Sequence, residues 1–136
     1  MKFGRKADER GFTLIEMVIV MVIMGVLLAI ALPMYNQSVT RAREARLHQN
    51  LKVLNEVIQQ YSYDKKKAPQ SLQDLVDAGY LKFIPDDITG NNTSWQTEEE
   101  DPQNAWNADE LGIAGVHSGS DEMASDGGGA YSSWKK

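Results

Sequence analysis

Glu16 is the one charged residue between Gly11 and Tyr35, in the stretch GFTLIEMVIVMVIMGVLLAIALPMY. The run is as long as the roughly 20 apolar residues a membrane span needs. An acid near the middle of a bilayer costs about 2.5–3.5 kcal/mol on insertion scales, so Glu16 calls for a cation. Cutting the chain after Gly11 would supply one, because it creates an α-amine on Phe12. Within one helix that amine and Glu16 are about one turn apart. They can pair in the same chain, or between neighbours in a bundle of identical helices.

A second group of residues can do chemistry near the C-terminus. Val116 to Gly127 is rich in carboxylates, hydroxyls and glycine. Ca²⁺ takes six to eight hard oxygens from carboxylates and carbonyls, which this composition can supply, although the spacing is not that of an EF-hand. Taken alone, such a stretch is more often a flexible loop than a site. Catalysis finds no support: His48 and His117 fall on different elements, there is no cysteine, and no motif puts a base beside a nucleophile. The chain is read as a non-enzyme.

These groups must be held by the elements between them. Beyond the apolar run, Leu47, Leu51, Leu54, Ile58 and Tyr61 recur at steps of four and three, so the span continues as an amphipathic helix to about Tyr63. Gly25 and Pro33 weaken its first half, since proline removes the bond to Ala29 and crowds the preceding turn. Arg41, Arg43, Glu44 and Arg46 read as a solvated collar at the membrane exit. Lys65, Lys66 and Lys67 followed by Pro69 end the helix. Ser71 and Asp74 open a short second helix that closes at Gly79. After Gly90 the pattern predicts two or three short antiparallel strands, around Thr93–Thr97 and Leu111–Val116, with Glu98–Asp101 as a solvated acidic loop. The fold class is therefore α+β, a long N-terminal helix on a small antiparallel sheet.

The residues Gly11, Phe12, Thr13, Leu14, Ile15 and Glu16, followed by an unbroken apolar run and Pro33, resemble the class III signal of type IV pilins and type II secretion pseudopilins. The resemblance implies a pilin fold and cleavage between Gly11 and Phe12 by a prepilin peptidase that also methylates the Phe12 amine. It implies that Glu16 docks a new subunit on a neighbouring N-terminus, and that Gly25–Pro33 loses helical structure as the filament forms. Tyr80 to Gly90 is similar to a segment of the major pseudopilins, without the usual Pro-Trp in its turn. The tail is similar to their calcium loop: Gly119, Asp121, Asp126 and Trp134 match, while Glu122 replaces a glycine. That likeness makes Asp121 and Asp126, the backbone of Val116 and Ser118, and Ser125 the candidate calcium ligands.

The implied layout is a leader at 1–11, a transmembrane and filament-core helix at 12–35, and a periplasmic head at 36–136. The implied partners are further copies in a helical filament, minor pseudopilins or pilins, an inner-membrane assembly platform, the peptidase and the membrane. Lys2, Arg5, Lys6 and Arg10 leave with the leader, along with Asp8 and Glu9, which takes the formal charge from −5 to −7. A mature chain so acidic, without a basic aromatic patch, argues against a nucleic-acid partner. A secretory signal with Ala29-Ile30-Ala31 as its cleavage site would have too long an apolar core and an acid within it. A plain membrane anchor explains the length but not Glu16 or Gly11. The first reading is a type II secretion pseudopilin, the second a type IV pilin, and the third an anchored binding module that never polymerises.

Overall fold

The computed structural model describes residues 11–134, so all but the last residue of the expected leader at 1–11 lies outside them. The chain forms two compact units, Met1–Ser38 and Val39–Lys136. Helix α1 runs Leu14–Lys65 and contains Pro33. In the first unit every apolar side chain from Phe12 to Tyr35 is exposed, and an 18-residue window there is apolar enough to cross a membrane.

In the second unit the predicted stripe is the core. Leu47, Leu51, Leu54, Ile58 and Tyr61 are all buried, which is where alternating steps of four and three put side chains on one helix face. They pack with Leu75, Trp95, Ile113, Val116, Ala124 and Tyr131. The helix ends at Lys65, and Lys66 follows in the left-handed region at φ 56°, a conformation usually taken by glycine at this position. Its ammonium lies 4.2 Å from the Tyr63 ring centre and 5.4 Å from that of Trp106.

Helix α2, Leu72–Asp77, is set by a capping box. The Asp74 amide donates to the Ser71 hydroxyl, while the Asp74 carboxylate accepts from the Ser71 amide at 3.1 Å. Leu75 is its fully buried residue, and Gly79 supplies the positive φ that turns the chain away.

Strands β1, Gln96–Glu99, and β2, Ile113–His117, pair antiparallel, with the register shifting between Glu98 and Glu99. The pilin-type α+β arrangement is thus present with a two-stranded sheet, each strand starting two or three residues later than the pattern predicts. On the helix side, Asn55 completes the pairing of β2: it accepts from the Val116 amide at 3.1 Å and donates to the Val116 carbonyl at 3.4 Å. Glycine is required at 112, where a Cβ would lie 2.7 Å from the Pro69 carbonyl oxygen.

Two charged residues depart from expectation. Glu44 is not part of a solvated collar but is buried at 8% exposure. Glu100 is also buried, and its carboxylate accepts from the amides of Trp106 and Gly112 at 3.2 and 3.3 Å. Glu98 and Glu99 belong to β1, so the acidic run is a strand end and an internal loop cap. His117 is half-buried on β2, with Nδ1 at 3.4 Å from Glu98.

Candidate functional site

At the N-terminal end, Gly11, Phe12 and Thr13 precede the first turn of α1 and are exposed. Thr13 and Glu16 cap that turn reciprocally. The Thr13 amide donates to the Glu16 carboxylate at 3.4 Å, and the Glu16 amide donates to the Thr13 hydroxyl at 3.3 Å. The sequence names Thr13 only as part of the signal motif, although Thr-x-x-Glu before an apolar run also spells a capping box. The consequence is that Glu16 is held at the helix entrance, exposed, about one turn from the Phe12 backbone nitrogen. A Cβ at Gly11 or Gly25 would meet nothing within 4 Å, so crowding within the chain does not call for glycine at either place.

The C-terminal segment is organised around two carboxylates from elsewhere in the head. Glu44 on α1 accepts from the Ser125 amide and hydroxyl, both at 2.6 Å, and from the Tyr131 hydroxyl at 3.0 Å. The Ser125 hydroxyl and amide, joined by the Tyr131 hydroxyl, outweigh burial and hold the Glu44 carboxyl below its usual range. Burial, then the bond to Glu44, pushes the Tyr131 phenol up. Asp87, 4% exposed, accepts from the hydroxyls of Ser94 and Ser118 at 2.9 Å and from the Gly119 amide at 3.1 Å. Trp134 then stacks on His48 of α1 with ring centres 4.0 Å apart.

Each of the five candidate calcium ligands has a hydrogen-bond partner within the protein. Ser118 points its hydroxyl to Asp87, and Ser125 to Glu44. The Val116 carbonyl accepts from Asn55. Asp121 and Asp126 are exposed, accepting from the Ser132 hydroxyl at 2.7 Å and the Gly128 amide at 2.8 Å. Among the described residues no three acidic or histidine side chains converge. The Ser118 and Ser125 hydroxyls and the Val116 carbonyl are thus engaged within the protein, while the carboxylates of Asp121 and Asp126 lie on the exposed side.

The family described as "Prokaryotic N-terminal methylation motif" matches residues 6–32. The type II secretion system core protein G of Escherichia coli K12 is 30% identical over 100 residues, covering 62% of this chain and 69% of that protein. The chain belongs to the G-type pseudopilins of the type IV pilin-like class. Core protein G of Pseudomonas aeruginosa PAO1 is 28% identical over 139 residues, covering 90% of this chain and 96% of that one. The type IV major fimbrial protein FimA of Dichelobacter nodosus is 37% identical over 65 residues, covering 48% and 41%. No solved structure matches the chain.

Proposed function

We propose that this chain is the major subunit of a periplasmic pseudopilus that drives type II protein secretion. In this reading a prepilin peptidase cuts between Gly11 and Phe12 and methylates the new amine. The subunit waits in the inner membrane with its head in the periplasm. Glu16 pairs with the Phe12 amine of a neighbour as the subunit joins a helical filament, and the exposed apolar side chains of Phe12–Tyr35 pack against other copies. Minor pseudopilins and the assembly platform are its further partners. Its role is structural, with no catalysis of its own.

The observation that carries this reading is Glu16, a carboxylate at the head of an otherwise uncharged apolar unit, inside a matched methylation motif. An anchor that only tethers a head has no use for that acid, which costs insertion energy without a partner. A surface pilus is the second reading, supported by the likeness to FimA. That likeness covers about half of either chain, whereas the core protein G relative spans 90% of this one.

The test is co-expression of the full chain with a type II secretion system lacking its own major pseudopilin. The expected result is a mature chain beginning at methylated Phe12, periplasmic filaments and restored export. Restored surface fibres without export would move the assignment to a pilus. A processed chain that stays monomeric in the membrane would leave the anchored module.

A further inference from the structure

The C-terminal segment is tied down at both ends by protein oxygens. At its start, the buried Asp87 carboxylate receives Ser118 and Gly119; further on, the buried Glu44 carboxylate receives Ser125 twice and Tyr131. Between these anchors the loop pairs with itself. The Tyr131 amide donates to the Glu122 carbonyl at 3.0 Å, Ser132 to Ser120 at 2.8 Å, and Ala124 to Gly129 at 2.9 Å. A calcium loop does the reverse, turning its carbonyls and acids inward on an ion that takes six to eight of them. Here the carbonyls of residues 120, 122 and 129 are occupied by amide donors. Of the five candidate ligands, only Asp121 and Asp126 present carboxylates, both on the exposed side.

We propose that Glu44 of α1 takes the place a calcium ion would have in stapling this loop, with Asp87 as the second anchor, so that the head folds and stays folded without metal. A helix carboxylate is well suited to the task. It reaches the loop from a rigid element, and its charge-assisted bonds are about twice as strong as neutral ones. The Ser125 hydroxyl, which would otherwise be a ligand, is turned toward Glu44 at 2.6 Å. The inference concerns the head alone and stands or falls separately from filament assembly.

The experiment is thermal unfolding of the full chain in detergent micelles, followed by tryptophan fluorescence, which reports both the buried Trp95 and Trp134 stacked on His48. It is run in millimolar calcium chloride and in excess chelator. The expected result is two superimposable curves, with Glu44→Gln and Ser125→Ala each lowering the midpoint by several degrees in both buffers. A midpoint raised several degrees by calcium and returned by Asp121→Ala would overturn the proposal. So would a Ser125→Ala chain that melts like the parent, a readout that remains available if Glu44→Gln does not fold.

Discussion

The two units of this chain treat polar and apolar groups in opposite ways. From Phe12 to Tyr35 the side chains are apolar and exposed, and the one acid touches only its own helix entrance. From Val39 onward the apolar stripe is buried, and even carboxylates are drawn inside with their donors supplied: Glu44, Asp87 and Glu100 all sit below 10% exposure. A unit that satisfies itself needs nothing else to fold. A unit that leaves some twenty apolar residues uncovered is completed by another phase or another copy, whether lipid or the same helix in a filament.

Substitutions can break that contrast. The largest effect is expected at Leu54, which is fully buried: Leu54→Ala should cost the head about 3 kcal/mol in chemical denaturation. Leu27→Ala, at an exposed position of the first unit, should leave the head's transition unmoved. Equal losses would mean that the two units fold as one.

A smaller loss is expected at Gly112, where an added Cβ meets backbone at Pro69; Gly112→Ala should cost about 2 kcal/mol in the same assay. Acid titration sharpens the comparison further. The Glu44 carboxyl is held below its usual range, so its contribution is complete above the unfolded carboxyl pKa, about 4.3. It is lost as pH falls through the lower folded value. Glu44→Gln should flatten the acid limb of the head's stability curve. The smallest effect belongs to the cap of α2: Ser71→Ala should cost about 1 kcal/mol, visible as a modest shift in midpoint.

Much of this arrangement was legible in the amino-acid order, and the rest had an identifiable obstacle. The stripe from Leu47 to Tyr61, the Ser71 cap and the helix end at Lys65 follow from short-range rules, and the structure contains each. Glu44 was misread because a glutamate between arginines defaults to solvent. Yet it lies three residues before Leu47, continuing the buried stripe one step toward the N-terminus. Its donors, Ser125 and Tyr131, are 81 and 87 residues away, a distance that no local pattern spans. The same obstacle hid the partners of Ser118 and Ser125, whereas the donors to Glu100, the amides of Trp106 and Gly112, lie only 6 and 12 residues on. Ser118 and Ser125 look like neighbours in a loop, but each follows a carboxylate from a different part of the head.

The central claim is that the first unit is built for assembly and the second for self-contained folding. It is tested most directly by Glu16→Ala in the full chain, with filament formation and head unfolding measured on the same preparation. Filaments should be lost while the unfolding curve of the head is unchanged. Normal filaments from the Glu16→Ala chain would contradict it.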